Sequence, residues 1–235
     1  DLARLQEINV EDKLDFVFEA IQQTNQRLAG AVPLIGFCGS PWTLATYMIE
    51  GGGSKEFSHV KSLMYRQPET LHLLLEKITA ALVDYLKAQI RAGVQAVQIF
   101  DSWGHVLAPD DYEEFSLRYL RGLIREIKRD ETPIIYFLRG RGCGLEKLAA
   151  SGADVLSLDW TIDLSEARQS LNGRVALQGN LDPTVLLAAP EVVRSQVKKI
   201  LGEMKESTGH IFNLGHGILP NTQVENVRAL VAAVR

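Results

Sequence analysis

Polar residues able to donate hydrogen bonds to carboxylates recur just after short apolar runs in this chain. Arg139 and Arg141 follow one run in RGRG, where a guanidinium can pair a carboxylate through two parallel hydrogen bonds. His216 stands between Gly215 and Gly217 in NLGHGILP. An imidazole there can donate to a carboxylate and, once protonated, balance its charge. The flanking glycines suit close approach of a ligand to the backbone. Ser102 and His105 sit in DSWGH. Taken alone, Ser102 reads as a cap or turn residue, and no Gly-x-Ser-x-Gly elbow surrounds it to suit a serine hydrolase. Asp101 beside it is expected to bond neighbouring backbone N–H groups, as buried strand-end carboxylates often do. Tyr47 in TYMIE offers a phenol for hydrogen bonding, or an aromatic packed on a helix face. Asp159, Trp160, Asn180 and Asp182 read as residues that order loops. His59, His72 and His210 read as surface or helix residues.

Six apolar runs carry these groups: Leu34–Cys38, Ala96–Asp101, Ile134–Leu138, Val155–Asp159, Val175–Gln178 and Ile211–Leu214. Amphipathic stretches lie between them. The first is marked by Leu14, Val17, Phe18, Ile21 and Leu28, with Gly30 at its end. Ser40–Pro41 begins another, ended by Gly51–Gly53. A long helix follows Pro68. The next contains Phe115, Tyr119 and Leu123, with Asp110 or Asp111 as its cap. Shorter helices are expected near Leu145–Ala150 and Leu164–Gln169, and a longer one from Pro190 to Met204. The last should begin at Thr222 with a capping box to Glu225.

Strand then helix, repeated, implies parallel strands and right-handed crossovers. Runs such as PLIGF and PIIYFL suit strands buried on both faces. Reactive residues at the C-terminal strand ends describe a (β/α)8 TIM barrel. A barrel needs eight strands, so six of eight β/α units are expected, in one domain over residues 1–235 that is N-terminally incomplete. An open doubly wound sheet is the competing fold, but GFCGSP is not a GxGxxG, and no P-loop sequence occurs.

Bulk composition narrows the function. Hydrophobic residues are 46% and charged residues 23% of the chain, as in globular proteins. A net charge of −4 supplies no long-range attraction for nucleic acid or anions, so local arginines must hold any polyanion. No run approaches the roughly 20 apolar residues of a membrane span. Two cysteines, Cys38 and Cys143, form no disulfide framework, which fits a reducing compartment.

Several motifs together resemble the uroporphyrinogen decarboxylase family: VPLIGFCGSPWTLATYMIEGGGS followed by YRQP, DSWGHVLAP, LDWT, LQGNLDP and NLGHGILP. Their order and spacing are similar too, over essentially the whole chain. The resemblance implies a barrel, usually a homodimer, with no cofactor or metal. It implies removal of CO2 from the four acetate side chains of uroporphyrinogen, giving coproporphyrinogen in heme and tetrapyrrole synthesis. It implies an active-site role for Tyr47 and substrate contacts for Ser102 and His216. Phe37 becomes an apolar wall against the macrocycle or a barrel-layer residue. Arg139 and Arg141 lie in a segment that departs from the family's pattern; from their place at the mouth after the third strand, at least one, Arg139 foremost, is expected to meet a substrate carboxylate. A cytoplasmic location is expected, or a plastid one in a photosynthetic eukaryote.

The chemistry sets its own demands. Losing CO2 leaves a carbanion unless an electron sink adjoins it. A protonated pyrrole is such a sink, so the protein must supply a proton donor, anionic stabilisation of the cationic ring, and cations for the carboxylates. The family's N-terminal segment resembling RQAGRYLP, and its aspartate after the second strand, do not occur in this sequence. RYLRG at 118–122 follows DSWGH within a helix and is not that segment. The isolated chain is expected to be inactive, and a six-strand arc with two unpaired edges and an open apolar interior is expected to be unstable or aggregation-prone alone. Two alternatives compete. One is a zinc-dependent corrinoid or thiol methyltransferase, which wants a His-x-Cys after PIIYFL and a late Cys. The other is a non-catalytic barrel scaffold.

Overall fold

The computed structural model describes residues 2–5, 8–127, 132–140, 144–205 and 209–235. Its centre is one sheet of six parallel strands in chain order: β1 (Ile35–Gly39), β2 (Ala96–Asp101), β3 (Ile134–Leu138), β4 (Val155–Leu158), β5 (Ala176–Leu181) and β6 (His210–Leu214). Ile35 aligns with Ala96, Val97 with Ile134, Ile135 with Val155, Val155 with Ala176, and Leu177 with His210. All six expected strands are present, shifted by a residue at some ends; β5 runs on to Leu181.

Helix α1 (Val10–Leu28) precedes β1, and α2 (Pro41–Glu50), α3 (Ser58–Arg66) and α4 (Pro68–Arg91) form the crossover from β1 to β2. Asn9 caps α1 by accepting from the backbone N–H groups of Glu11 and Asp12. At its other end Ala29 is left-handed, followed by Gly30. Ser40 caps α2 by accepting from Thr43 N, with Pro41 at the first helical position. Gly51 ends α2 at φ 75°.

After β2 the chain forms α5 (Pro109–Tyr112), a π-helical turn (Glu113–Leu117) and α6 (Arg118–Glu126). Neither Asp110 nor Asp111 is the helix cap expected from sequence. Ala108 occupies the cap position, Pro109 the first helical position, and Asp110 and Asp111 lie inside the first turn, where the helix dipole favours them. Helices α7 (Leu145–Ala149), α8 (Leu164–Leu171), α9 (Pro190–Glu203) and α10 (Val224–Val234) complete the alternation. Thr222 does not cap α10, because the helix begins two residues later behind Gln223.

The core fills the space between sheet and helices. Val97, Ile99, Tyr136, Leu138, Leu156, Leu158, Leu177 and Leu181 point into it and meet Leu71, Leu75, Leu86, Leu120, Leu123, Val193 and Val197. Strand periodicity sends the alternate residues to the opposite face. In the middle of the sheet Ile135, Ser157 and Gln178 are buried on that face. At its margins Phe37 is 62% exposed, and Ile35 and Ile211 are each 41% exposed. Among the described residues β1 and β6 each pair on one side only.

Candidate active site

Of the groups singled out by sequence, Ser102 and His216 meet at the C-terminal strand ends, whereas Tyr47, Phe37 and Arg139 do not line the cavity between them. A cavity of about 480 Å³ opens there. Gln98, Phe100 and Ser102 line it from alternate positions along β2, with Phe137 from β3, Ser157 from β4 and His216 after β6. Ser102 and His216, far apart in sequence, thus share one space. Gln178 ties its floor together by donating from Nε2 to Ser157 Oγ at 3.0 Å and Gln98 Oε1 at 3.3 Å.

Aromatic rings connect the cavity to the sheet margin. Phe37 meets Phe100 edge-on at 6.0 Å between centroids, Phe100 meets Phe137 at 5.7 Å, and Phe137 meets the His216 imidazole at 6.0 Å. Phe37 therefore continues the apolar face without lining the cavity itself. Tyr47 projects from the last turns of α2, 42% exposed. Its ring meets Trp103, the residue after Ser102, at 6.2 Å and an interplanar angle of 77°.

Arg139 follows β3, with its backbone N–H donating to Asp101 O. Its charge lowers the pKa of both His105 and His216. Burial is the larger cause at each, and Asp159 opposes the shift at both. His105 Nδ1 lies 3.1 Å from the Ser102 carbonyl oxygen, to which it donates in the tautomer protonated there. Arg141 and Cys143 lie outside the described residues. His59 and His72 lie on helices, as expected. His210 instead opens β6, with Nε2 3.0 Å from Gly179 O.

The loop-ordering residues act as expected. Buried Asp159 accepts from Gly140 N at 2.7 Å and from both the backbone N–H and the hydroxyl of Thr161. Asn180 donates to the carbonyls of Asp159 and Ile162, and Asp182 accepts from Thr184. Gly215 has a different role from the one expected. A Cβ there would come within 2.7 Å of Trp160 N and 3.1 Å of Asp159 Cα, so this glycine lets the β6 end pack against the β4 loop. Of the two glycines flanking His216, Gly217 is the one with open space beside its backbone.

Asp101 also departs from expectation. It is fully buried, and its carboxylate accepts from hydroxyls: Ser40 at 2.9 Å and Thr43 at 3.0 Å on Oδ1, Ser116 at 2.5 Å and Tyr136 at 3.0 Å on Oδ2. The four donors come from three separate parts of the chain, the start of α2, the π-helical turn and β3, so no local sequence pattern announces the whole cluster.

Among the described residues no group of three His, Cys, Asp or Glu side chains could hold a metal. Cys38 is buried on the helix side of β1, and burial pushes its thiol far up. No helix among them is long and apolar enough to cross a membrane. A larger groove, about 840 Å³, lies on the outer surface between α4 and α6, lined by Glu76, Arg118, Arg121 and Arg125. None of the residues lining it lines the strand-end cavity.

A parallel β/α sheet with a small-molecule cavity at its C-terminal strand ends defines an α/β protein of the TIM-barrel-like class. The chain belongs to the uroporphyrinogen decarboxylase family, whose model matches residues 1–235. It is 49% identical over 238 residues to uroporphyrinogen decarboxylase of Alcanivorax borkumensis, covering 100% of this chain and 67% of that one. It is 52% identical over 225 residues to that of Pseudomonas fluorescens, covering 94% and 63%. The chain thus spans about two thirds of the length of these curated relatives. A methyltransferase from Methanosarcina mazei has a similar fold, with TM-score 0.86 and 22% identity over 100% of this chain and 68% of that one. A B12-independent methionine synthase from Shewanella sp. W3-18-1 is more distant, with TM-score 0.58 and 17% identity over 98% and 65%.

Proposed function

We propose that this chain forms the larger part of a uroporphyrinogen decarboxylase, a carboxy-lyase acting on the four acetate side chains of uroporphyrinogen. Residues 1–235 act as one barrel domain whose remaining β/α units come from further sequence. The observation carrying this reading is a whole-chain family match whose Ser102 and His216 share one cavity at the strand ends.

In the proposed reaction a proton adds to a pyrrole carbon and makes the ring cationic. The bond from acetate methylene to carboxylate then breaks, its electron pair flows into that ring, and CO2 leaves. A second proton converts the methylene to methyl as the first is lost from the ring. This route needs no resident cofactor. Tyr47 orients a carboxylate or hydrogen-bonds it, Ser102 and His216 donate to carboxylates, and Arg139 supplies countercharge. Phe37 extends the apolar face along which the macrocycle rests. A homodimer in the cytoplasm, or in a plastid, completes the reading.

The test is an assay of uroporphyrinogen conversion by the full-length product of the reading frame, beside the isolated 235-residue chain. The full-length protein should release CO2 and yield coproporphyrinogen, and the isolated chain should not. An inactive full-length protein would favour the scaffold reading, and stoichiometric zinc with methyl transfer the methyltransferase reading.

A further inference from the structure

Asp101 is a buried carboxylate outside the cavity, and nothing in the reaction proposed above uses it. Taking a carboxylate out of water is costly unless its oxygens are fully hydrogen-bonded. Here burial raises its pKa overall, and the four hydroxyl partners limit that rise by favouring the ionised form.

An ionised carboxylate only accepts, so it fixes each of these hydroxyls as a donor. Two of them are then committed at both ends. Ser40 Oγ donates to Asp101 and accepts from Thr43 N at 3.1 Å. Thr43 Oγ1 donates to Asp101 and accepts from Trp103 N at 3.4 Å. Trp42 Nε1 donates back to Trp103 O at 3.1 Å, and Ser40 N to Phe100 O at 2.8 Å. This closed set joins the start of α2 to the end of β2. Tyr47 stands one helical turn beyond Thr43, Ser102 is the residue after Asp101, and Trp103 touches the Tyr47 ring.

On the opposite side Oδ2 is held by Ser116, from the π-helical turn, and by Tyr136, whose hydroxyl bonds that of Tyr112. Both anchors lie on the helix side of the sheet, away from the cavity.

We propose that Asp101 is the positioning residue that sets Tyr47 and Ser102 relative to each other, through the hydroxyls of Ser40 and Thr43 in front and those of Ser116 and Tyr136 behind. This rests on the roles proposed above for Tyr47 and Ser102. Asparagine has nearly the same shape, but its NH2 must face one of the two donor pairs and turn it away.

The experiment is a double-mutant cycle in the full-length protein. Asp101→Asn should lower kcat on the order of tenfold or more with KM changed less than about threefold, since small misplacements of reacting groups cost rate. In a Tyr47→Phe background the same change should cost less than about twofold, because the two act as one unit. Equal losses in both backgrounds would overturn the proposal. A crystal structure of Asp101→Asn should show the Tyr47 hydroxyl displaced relative to Ser102; unmoved side chains would overturn it regardless of activity. If Tyr47→Phe alone leaves turnover intact, the role of Tyr47 has failed, and that crystal structure still decides the positioning claim. If Asp101→Asn does not fold, Ser116→Ala and Tyr136→Phe each remove one donor and carry the same cycle and structure.

Discussion

The guanidinium of Arg139 depresses the pKa of the His216 imidazole, adding to the effect of burial. It acts in the same direction on His105. Burial and this cation together hold two imidazoles at the strand ends below their ordinary range. A bound carboxylate would offset the charge and favour protonation of His216.

Both imidazoles should titrate below their ordinary value of about 6.5. Arg139→Gln should move both midpoints upward, read by NMR of the histidine ring protons. Midpoints unmoved by the substitution would place Arg139 too far away to matter.

The same shifts predict a stability trend. A histidine whose pKa is lower folded than unfolded lets the unfolded chain bind more protons. Its contribution is present above the unfolded pKa and lost as pH falls through the window below about 6.5. Urea midpoints should therefore drop on acidification from pH 7 toward 5, and His216→Gln should flatten that slope. An unchanged slope would remove His216 as a cause.

Tyr47→Phe in the full-length protein should reduce turnover of uroporphyrinogen on the order of tenfold or more, as expected for losing one donor in a transition state. Its folding midpoint should hardly change, because the side chain is 42% exposed and the ring contact with Trp103 survives. Full turnover by the variant would exclude the phenol from the chemistry.

Gly215→Ala should be damaging despite its small size. The added methyl would lie 2.7 Å from Trp160 N, a backbone atom with no easy retreat. The β6 end, and His216 with it, must shift. Lower activity with a destabilisation of about 1–3 kcal/mol is expected, within the range for overpacking. Thermal melts and kinetics of this variant beside Gly217→Ala, where space is open, separate strain from chemistry.

The isolated chain should self-associate. Phe37, Ile35 and Ile211 are exposed on β1 and β6, which among the described residues pair on one side only, and such edges recruit further strands. Sedimentation should show concentration-dependent oligomers, reduced by Ile35→Lys. A monodisperse monomer of the unmodified chain would contradict this.

Strands and most helices were legible because buried parallel strands read as continuous apolar runs, and caps such as Ser40 and breaks such as Gly51 are local signals. Helix α3 was not legible: its cap position is Phe57, left-handed at φ 53° and without a capping side-chain bond. The π-helical turn was equally silent. At the site, Ser102 and His216 were recognisable from motifs. The Asp101 hydroxyl cluster was not, since its members sit at positions 40, 43, 116 and 136 and meet only in three dimensions. Gln98 and Gln178 were hidden for the same reason, as polar residues inside apolar runs.

Every strand's neighbour in the sheet is the next strand along the chain. A nascent polypeptide leaving the ribosome can therefore zip each new ribbon onto the last without waiting for a distant mate. Growth of this kind leaves a sticky front at every stage, so slow translation between β/α units should expose the product to chaperones.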